Sequence, residues 1–586
     1  MQQQSLNLTP KLKYIPYYIL ASVIIICIRL FYLQIEQNNA LLTQSEKNCT
    51  RLDKIPSPRG NIVDMDGNLL ATNRPLTNLF WQGHGNGKLT ENQWQTLQKI
   101  SAIIEKPLTL DRLLLETIIM AEKKHKKILL ASDLSFEQLS KIQEQFGTNE
   151  SLVISTHFKR YYPYKTFACH LLGYLGQINT ESQGKMGLEK MFEDTLKGEQ
   201  GTHLRKINSV GRNLAEVELK EALAGRTIKT TIDIDLQDII EQIFPEHTNG
   251  TFILMDPADG GIVALVSRPN FDPNIFLDPI SSDQWHGLQD KQPFLNRAFN
   301  CSYPPGSIFK LASMSAALEQ GIVNQETSMC CNGYITFAER KYRCARKVGH
   351  GFLTACQALA HSCNIMFYDI AKKMSIDTLA EYAHRFGLGE KTGICFPEKE
   401  GLVPCSEWKK RVKGERWWPG ETLSAVIGQS FLNVTPIQVA CMISSIFTGY
   451  LTTPRILEDE SIKKRPLDIR QSTLNFLRQS MRSVVTKGTG IQISQVKEIE
   501  IYAKTSTAQV ADLDKRDINA TYLEHAWFVA YFKYKDNRPL TIVILAENVG
   551  SSREATNIAK NFLIEYKNLM ESRNHQDVTT GADMIS

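Results

Sequence analysis

The amino-acid sequence predicts an α+β fold that follows a single apolar helix. Strand-like stretches occur within residues 227–267 and again within 498–547, and helical periodicity dominates between them from residue 307 to about 390. Strands that flank a helical block can join in one antiparallel sheet, so we expect a sheet built from both ends of this region. Because 586 residues exceed what one hydrophobic core supports, two or three domains are expected.

Residues 15–35 are almost wholly apolar, apart from Arg29 near the far end. This length suits one membrane-spanning helix, and Arg29 lies close enough to the edge to reach the lipid headgroups. Lys11 and Lys13 precede the segment and favour a cytoplasmic tail over residues 1–14. Since no small-residue cleavage site follows, we expect an uncleaved transmembrane anchor rather than a removed signal or a buried core helix.

Residues 36–225 are expected to form a separate N-terminal domain. A strand, a turn and a return strand lie within 59–71, and charged amphipathic helices follow them. A boundary comes next, so the second domain is expected to span 226–570. The last residues, 571–586, are polar and are predicted to be disordered.

The second domain opens with a predicted strand at 227–233 and a predicted helix at 235–244. Residues 251–256 and 261–267 flank the turn sequence Pro-Ala-Asp-Gly-Gly, which predicts a hairpin. These elements supply the first strands of the expected sheet.

A nucleophile is predicted at Ser307, within Tyr-Pro-Pro-Gly-Ser-Ile-Phe-Lys. The Pro-Pro-Gly turn places this serine at the start of a helix, and Lys310 follows one turn later on the same face. A hydroxyl at the positive end of a helix with an amine beside it is a known way to activate serine. The same Ser-x-x-Lys spacing recurs four more times, beginning at Ser182, Ser406, Ser461 and Ser494. The spacing alone is therefore a weak signal. The preceding turn and the following helix are what favour Ser307 as the nucleophile.

Two further motifs supply the other polar groups of such a site. Ser362–Asn364 offers a second hydroxyl and an amide, and Lys504–Ser506 offers a second cation. Together with Ser307 and Lys310 they suit serine acyl transfer on a substrate that carries a carboxylate.

Lys391 is an alternative candidate for the lysine of the third motif, because Lys391-Thr-Gly matches the usual Lys-Thr-Gly form more closely than Lys504–Ser506 does. Lys391 lies in a glycine-rich loop without neighbouring strands, whereas Lys504 ends a strand-like stretch and precedes two more. An inner strand can present a lysine to a cleft, so we assign the role to Lys504.

The formal net charge is only +5, and the sequence has no basic aromatic-rich stripe and no phosphate-cradling glycine loop. We therefore expect no nucleic-acid partner.

Ordered matches along nearly the whole chain beyond the anchor resemble the penicillin-binding transpeptidases, and more closely the elongation-type class B group, which includes penicillin-binding protein 2. Besides the three motifs, the matching segments are Arg59-Gly60, Gly187-Leu-Glu-Lys, Thr231-Ile-Asp, Gly349-His-Gly351, Phe386-Gly-Leu-Gly, Ile427-Gly-Gln429, Thr435-Pro-Ile-Gln438 and Trp527-Phe-Val. The resemblance implies the penicillin-binding transpeptidase fold, an antiparallel sheet with a helical subdomain. It also implies that an elongated pedestal or dimerisation-like domain precedes this fold.

The resemblance further implies a peptidoglycan D,D-transpeptidase that cross-links stem peptides through a serine acyl-enzyme. Ser307 would attack the D-Ala-D-Ala bond with Lys310 as the base, and an amine of a neighbouring strand would resolve the acyl-enzyme. Ser362 would relay a proton to the leaving group, and Asn364 would hold the substrate amide.

The third motif would bind the end of the substrate. Lys504 and Thr505 would hold the terminal carboxylate, with Ser506 beside them. Backbone N–H groups of Ser307 and Thr507 would form the oxyanion hole. β-Lactam antibiotics would acylate Ser307 as mimics of D-Ala-D-Ala.

Two positions depart from the pattern of the family, because Ser506 and Ser430 stand where glycine is usual. Glycine permits close backbone approach, so a side chain at 506 is expected to alter β-lactam preference while activity is retained. The alternative is that serine is small enough to be neutral there.

The spacing Cys-x12-Cys-x5-His-x12-Cys indicates a metal site formed by Cys331, Cys344, His350 and Cys363. Three thiolates and one imidazole are a normal tetrahedral zinc set, and some elongation-type relatives carry a similar set of ligands around zinc. The alternative is a Cys331–Cys344 disulfide, which an oxidising compartment favours. Cys330 could replace Cys331 in either role.

The resemblance places the chain in the inner membrane with a periplasmic catalytic domain. Its implied partners are the peptidoglycan polymer made from lipid II, a polytopic glycosyltransferase of the shape, elongation, division and sporulation family, and wall-synthesis scaffolds. A D,D-carboxypeptidase and a degenerate penicillin-binding scaffold stay open as alternatives. A β-lactamase is disfavoured, because an anchor and a long N-terminal region are superfluous for a soluble hydrolase.

Overall fold

The structure is a computed structural model that describes residues 14–86, 88–104, 112–124, 126–147, 149, 151–178, 181–207, 213–278, 280–509 and 523–583. It divides into two compact units. The first comprises the chain up to Arg59 with Asn73–Lys159 and Lys197–Gly225, and the second comprises Gly60–Thr72, Arg160–Leu196 and Arg226–Ser586.

The helices before residue 250 are α1 (Ile15–Phe31), α2 (Asn38–Cys49), α3 (Glu91–Ile103), α4 (Arg112–Lys123), α5 (Phe136–Phe146), α6 (Cys169–Leu172), α7 (Gly187–Met191), α8 (Glu193–Lys197) and α9 (Ile234–Ile243). Those after it are α10 (Ser282–Asp290), α11 (Lys310–Glu319), α12 (Ala355–Ala360), α13 (Asn364–Ala371), α14 (Ile376–Arg385), α15 (Ser406–Lys413), α16 (Pro419–Ala425), α17 (Pro436–Thr448), α18 (Gln471–Thr486) and α19 (Ser552–Asp583). Short 3-10 turns are Pro273–Leu277, Gly306–Ile308 and Ile491–Gln495.

The strands of the first half are β1 (Thr50–Ile55), β2 (Ile62–Val63), β3 (Leu69–Gln82), β4 (Lys127–Ala131), β5 (Leu152–Tyr161), β6 (Leu175–Ile178), β7 (Glu181–Gly184), β8 (Gly201–Ile207), β9 (Asn213–Lys220) and β10 (Ile228–Lys229). Those of the second half are β11 (Gly250–Met255), β12 (Ile262–Arg268), β13 (Ser328–Cys331), β14 (Tyr334–Phe337), β15 (Arg340–Arg343), β16 (Gly351–Thr354), β17 (Tyr450–Thr452), β18 (Lys464–Pro466), β19 (Ile499–Ala508), β20 (His525–Tyr534) and β21 (Leu540–Ala546).

The apolar N-terminal segment is helical. α1 continues as a π-helical turn over Tyr32–Glu36, and its apolar side chains are exposed. Within the described residues, Ile15–Glu36 is the one helix that is long and apolar enough to cross a membrane. This agrees with the predicted anchor over 15–35.

The first unit holds an antiparallel three-stranded sheet in the order β1-β8-β9. The later residues of β3 pair with β4, and α3, α4 and α5 supply a small core that includes Leu97, Ile100 and Ile118. A capping box at Thr90 starts α3 and another at Ser135 starts α5.

The two units are interleaved along the chain, whereas the sequence predicts two contiguous domains that meet at 225/226. The second unit takes in Gly60–Thr72 because β2 pairs in parallel with β10. It takes in Arg160–Leu196 because the Tyr162 N–H donates to Asn274 Oδ1 at 3.0 Å and the Ala168 N–H donates to Glu241 Oε1 at 3.3 Å. These contacts join residues that are far apart in the sequence, which explains why the units are not two contiguous domains.

The second unit is built around an antiparallel five-stranded sheet in the order β12-β11-β21-β20-β19. Helices α9 and α19 cover one face of the sheet, and α11 and α17 belong to the core on the other face. The strands come from both sides of the helical block, so the α+β prediction and the sheet built from both ends are confirmed.

At the C-terminus, α19 begins at Ser552 and continues to Asp583, whereas the sequence predicts disorder from residue 571. Arg573 lies in the predicted tail and donates to both carboxylate oxygens of Asp233, at 2.7 and 2.9 Å. The ion pair holds this part of the helix against the start of α9.

Candidate active site

Ser307 lies in a turn that neighbouring elements hold in place. Gly306 has φ +52°, and its N–H donates to the Gly428 carbonyl at 3.0 Å. Gly428 has φ +79°, and a β-carbon there would collide with the Gly306 carbonyl oxygen. The half-buried Ser307 side chain is therefore presented at a fixed place at the start of α11.

The turn is also held from strands β19 and β20. The Ser506 hydroxyl donates to the Pro305 carbonyl at 2.9 Å, and the Trp527 indole N–H donates to the Pro304 carbonyl at 3.1 Å. Ser506 and Trp527 are directly opposite each other in the sheet. The adjacent carbonyls of Pro304 and Pro305 thus each accept a hydrogen bond from one residue of this cross-strand pair.

Lys310 is fully buried and connects the first motif to the second. Its ammonium donates to the Ser362 carbonyl at 2.8 Å, to the Ser362 hydroxyl at 3.2 Å and to Asn364 Oδ1 at 2.7 Å. Burial lowers the pKa of Lys310 to about 8, although the nearby Cys344 and Cys363 groups oppose the shift. A lysine with such a pKa is neutral often enough near pH 7 to accept a proton.

Ser362 stands between α12 and α13 with φ +56°, a conformation that is uncommon for a residue other than glycine. Its hydroxyl accepts from Lys310 and from Lys504, at 3.2 Å in each case. Ser362 lies 52 positions from Lys310 and 142 positions from Lys504, so groups from all three motifs meet at one hydroxyl.

Lys504 lies on β19 and is also fully buried. Its ammonium donates to the Thr505 carbonyl at 2.9 Å, and burial followed by the nearby Lys310 lowers its pKa well below the usual range. The Thr505 and Thr489 hydroxyls are 2.6 Å apart. Thr507 is exposed, and its hydroxyl accepts the Ser552 N–H at 3.3 Å.

The alternative lysine motif takes no part in this arrangement. Lys391 is 59% exposed in its side chain and lies 3.7 Å from Glu400, while the Thr392 hydroxyl donates to Glu398. These contacts stay within one loop, so Lys504 is the lysine that joins the other motifs.

The four predicted metal ligands come together. His350 Nδ1 lies 3.5 Å from the Cys331 and Cys344 sulfurs, and the Cys344 and Cys363 sulfurs lie 3.9 Å apart. The ligand atoms all lie within 4.8 Å of one another, and the three cysteines are buried. The hydrogen bond with the Cys363 thiol lowers the pKa of the Cys344 thiol, so this pair readily provides a thiolate.

These separations fit a tetrahedral zinc ion. Zn–S bonds of about 2.3 Å and Zn–N bonds of about 2.0 Å give edges of about 3.8 Å between sulfurs and about 3.5 Å between sulfur and nitrogen. The Cys331–Cys344 disulfide is not formed, since both residues are free thiols. Cys330 is exposed, with its thiol 3.2 Å from Asn332, so Cys331 rather than Cys330 occupies the cluster.

Some groups around the site were not predicted from the sequence. The Tyr303 hydroxyl donates to Glu547 at 2.5 Å, and Arg297 pairs with the same carboxylate at 2.9 Å. Tyr303 directly precedes the turn, so this buried network supports the turn from behind. No local pattern could identify Glu547, because it is 244 residues away from Tyr303.

Ser430 has φ +72° and an exposed side chain. A glycine would adopt this conformation without strain, which accounts for the usual residue there.

Comparisons with known proteins agree with this geometry. Residues 250–564 match the family described as penicillin binding protein transpeptidase domain, and residues 54–230 match the penicillin-binding protein dimerisation domain. The chain is 31% identical to the peptidoglycan D,D-transpeptidase MrdA of Acinetobacter baumannii, over 94% of this chain and 88% of that protein.

Two solved structures share the fold. The complex between PBP2 and MreC from Helicobacter pylori contains a chain with a TM-score of 0.76 and 26% identity, and the match covers 89% of this chain and 99% of that chain. A peptidoglycan synthase complex that coordinates polymerization and crosslinking contains a chain with a TM-score of 0.74 and 26% identity, covering 95% and 98%. The chain therefore belongs to the penicillin-binding protein transpeptidases, in the elongation-type class B group.

Proposed function

We propose that this protein cross-links peptidoglycan stem peptides as a serine D,D-transpeptidase in cell wall synthesis, with Ser307 as the nucleophile. The observation that carries the proposal is the convergence of Lys310 and Lys504 on the Ser362 hydroxyl beside the Ser307 turn. MrdA, the relative from Acinetobacter baumannii, carries the same activity in its name. A half-buried hydroxyl between two lysines whose pKa values are lowered suits proton transfer between a nucleophile and a leaving group.

In acylation, neutral Lys310 accepts the Ser307 proton as the serine oxygen attacks the carbonyl carbon of the D-Ala-D-Ala bond. The oxyanion is held by the backbone N–H groups of Ser307 and Thr507. When the C–N bond breaks, Ser362 passes a proton to the departing D-Ala amine, and Lys310 resupplies Ser362. The result is an ester between Ser307 and the stem peptide.

Deacylation reverses these proton movements. The amine of a second stem peptide attacks the ester and gives up a proton, which returns to the Ser307 oxygen. The products are a new amide bond and free Ser307. Asn364 holds the substrate amide beside Lys310, while Lys504 and Thr505 bind the terminal carboxylate of the donor. Binding an anion offsets the burial of the Lys504 cation.

Labelling with a fluorescent penicillin tests the nucleophile. We expect the full-length protein to be labelled covalently and the Ser307→Ala variant not to be labelled. Ser494→Ala is the matched control, because Ser494 begins another Ser-x-x-Lys and lies exposed in the turn Ile491–Gln495. An unlabelled wild type would favour the non-catalytic scaffold.

Product analysis with and without an amine acceptor distinguishes a transpeptidase from a carboxypeptidase. With an amine acceptor present, we expect cross-linked dimers as the main product rather than the shortened stem peptide. Hydrolysis that is unaffected by added acceptor would instead identify a D,D-carboxypeptidase.

We propose that Cys331, Cys344, His350 and Cys363 hold a structural zinc ion. When bound, zinc would act as a cross-link and would supply no chemistry to the acyl transfer. Because Cys363 lies between Ser362 and Asn364, its fixation would limit the movement of both side chains. Metal analysis of the purified protein should find about one zinc per chain, together with cysteines that react once the metal is removed. No zinc and two blocked cysteines would contradict the site.

We propose that the N-terminal helix anchors the protein in the inner membrane with the second unit in the periplasm. The lysines at positions 11 and 13 favour this orientation. The likeness to a PBP2 that binds MreC and to a chain of a peptidoglycan synthase complex supports a wall-synthesis scaffold and a polytopic glycosyltransferase as partners. Co-purification from detergent-solubilised membranes tests both partners. Recovery of the protein as a monomer, with neither partner bound, would contradict the proposal.

A further inference from the structure

A strongly basic hairpin lies beside the active site and has no role in the acyl transfer. Its five cations, within the eight positions 340–347, are Arg340, Lys341, Arg343, Arg346 and Lys347. We call residues 332–347 the cationic hairpin; it contains β14, β15 and the loop after them. The formal charge of the whole chain is only +5, so this segment concentrates positive charge.

The cations of the hairpin are open to solvent and lack acidic partners. All five are exposed, and no ion pair of theirs is recorded within the described parts of the chain. Lys341 lies over the Tyr334 ring at 5.1 Å and Arg340 over the Tyr342 ring at 5.6 Å. These rings orient the side chains but do not neutralise them, and with Glu339 in the turn the segment keeps a formal charge of +4 for a ligand.

The hairpin reaches the active site through its backbone. The Asn364 side-chain amide donates to the Arg343 carbonyl at 3.2 Å and accepts from the Lys310 ammonium at 2.7 Å. One side chain therefore connects the base of the acyl transfer to β15. A substrate held at Asn364 would lie next to the cations.

The hairpin is also fixed at its base. The Cys344 N–H donates to the Gly333 carbonyl at 2.7 Å, and the His350 N–H donates to the Cys331 carbonyl at 3.0 Å. The Tyr342 hydroxyl contacts the Gly420 carbonyl at 3.4 Å. The backbone that carries the charged side chains is held in place, so little of the binding free energy is spent on ordering the hairpin itself.

We propose that the cationic hairpin binds free carboxylates of the stem peptide, so that the enzyme prefers acidic stem peptides to amidated ones. The proposal rests on the transpeptidase function given above and adds the class of substrate. Exposed ion pairs contribute little singly, but a cluster of one sign beside a cleft attracts anions collectively. The hairpin should therefore act on substrate binding and not on the chemical step.

An anionic lipid surface would also attract such a cluster. The hydrogen bond from Asn364 favours the peptide, because it places the hairpin at the site where the stem peptide is cleaved.

The test compares two stem pentapeptides that end in D-Ala-D-Ala, one with free side-chain carboxylates and one with those groups amidated. The hairpin variant is Arg340→Gln/Lys341→Gln/Arg346→Gln/Lys347→Gln, made in the full-length protein. Release of D-Ala gives KM and kcat, and binding to the same proteins with Ser307→Ala gives Kd without turnover.

We expect the hairpin variant to raise KM and Kd for the acidic peptide about tenfold, with kcat within about twofold. Both constants for the amidated peptide should move by less than about twofold. Raising the salt concentration should weaken binding of the acidic peptide by the wild type toward the level of the variant.

A control variant changes the net charge equally at a distance from the site. It carries Lys→Gln at four exposed positions: Lys463 just before β18, Lys464 on β18, Lys497 just before β19 and Lys533 on β20. We expect its discrimination between the two peptides to equal that of the wild type.

Equal effects of the hairpin variant on both peptides, or no effect on either, would overturn the proposal. Lost binding to vesicles containing anionic phospholipid, with unchanged peptide discrimination, would identify a lipid surface and overturn it as well. Penicillin labelling separates the two hypotheses: absence of labelling in the wild type counts against the transpeptidase function, whereas intact labelling with unchanged discrimination counts against the hairpin alone.

Discussion

Ser362 is the residue at which the lysines of the first and third motifs meet. Two lysine ammonium groups point at its hydroxyl, and both lysines are fully buried. Two cations this close repel each other in a medium of low polarity, so the site favours loss of one proton. Burial lowers the pKa of both lysines, and Lys310 acts as the base because it follows Ser307 by one helical turn.

We predict that acylation by penicillin depends on the protonation of Lys310. Only the neutral amine can accept the Ser307 proton, so the acylation rate should rise with pH and level off above about 8. Stopped-flow acylation between pH 5.5 and 9.5 measures this dependence. The Lys310→Arg variant should not acylate at any of these pH values, because arginine stays protonated. A rate that is independent of pH across this range would contradict Lys310 as the base.

Ser506 has a structural role that glycine cannot fill. Its hydroxyl donates to the Pro305 carbonyl, and a β-carbon at Gly306 would lie 2.5 Å from it. The serine thus packs directly on the turn that carries Ser307. The idea that serine is neutral at this position is therefore less well supported than the idea that it shapes the cleft.

We predict that Ser506→Gly changes the rate of acylation by different penicillins several-fold and unequally, while D-Ala release is retained. The turn would lose one of its hydrogen bonds, and the cleft would gain the space of a side chain. Acylation rates for a panel of β-lactams measure the effect. Ser506→Ala is the control that removes the hydroxyl and keeps the β-carbon. Identical rates for wild type and Ser506→Gly would show that the serine is neutral.

At the scale of elements, the nucleophile turn is held by the neighbouring loop and by two strands, and the Gly428 backbone lies so close to Gly306 that it leaves no room for a β-carbon at residue 428. The Gly306 N–H binds the Gly428 carbonyl, and the space between the two residues admits no side chain. The position of Ser307 therefore depends on a loop that lies more than a hundred residues further along the chain.

We predict that Gly428→Ala lowers acylation at least about a hundredfold, because small misplacement of a nucleophile is costly. The fold should remain cooperative, as judged by circular dichroism during thermal unfolding. Gly449→Ala is the matched control: its φ of +78° is nearly that of Gly428 at +79°, but its β-carbon would meet nothing within 4 Å. The control shares the backbone strain and should keep its acylation rate. Equal loss in both variants would attribute the effect to strain alone.

At the scale of the whole second unit, the C-terminal helix α19 contacts the start of α9, which lies near the beginning of the unit's longest segment. Asp233 is buried and caps α9, and Arg573 near the end of α19 binds it with two hydrogen bonds. The two residues are 340 positions apart. A buried carboxylate that loses its partner is destabilising.

We predict that ending the chain after residue 570, or changing Arg573→Ala, lowers the free energy of unfolding by about 1 to 2 kcal/mol, because Arg573 is partly exposed. Urea unfolding measures the loss. Lys567→Ala is the control, since it breaks an ion pair with the half-exposed Glu498 and should lower the free energy of unfolding less than the loss of Arg573 does. If the truncated protein is as stable as the full chain, the prediction is contradicted and residues 571–586 are a tail that the fold does not need.

Much of the second unit could be predicted from sequence. The strands of the sheet have strong β-type patterns, and the Asp-Gly-Gly turn marks the hairpin of β11 and β12. The apolar N-terminal segment also stands out by length alone. The interleaving of the units and the order in the C-terminal helix could not be predicted, because they depend on β2 pairing with β10 and on the Arg573–Asp233 contact.

The sequence by itself determined which residue types are available for the chemistry: a serine and a lysine one helical turn apart, a Ser-x-Asn, a strand lysine, and three cysteines with a histidine. Local periodicity and turn chemistry suffice for that, since they depend on near neighbours. Only the tertiary structure decided that Lys310 and Lys504 share the Ser362 hydroxyl, that Ser506 and Trp527 hold the turn, and that the cationic hairpin adjoins Asn364. The physical reason is that these hydrogen bonds join residues far apart in the chain, and only the packing of the sheet against the helical block brings them within reach.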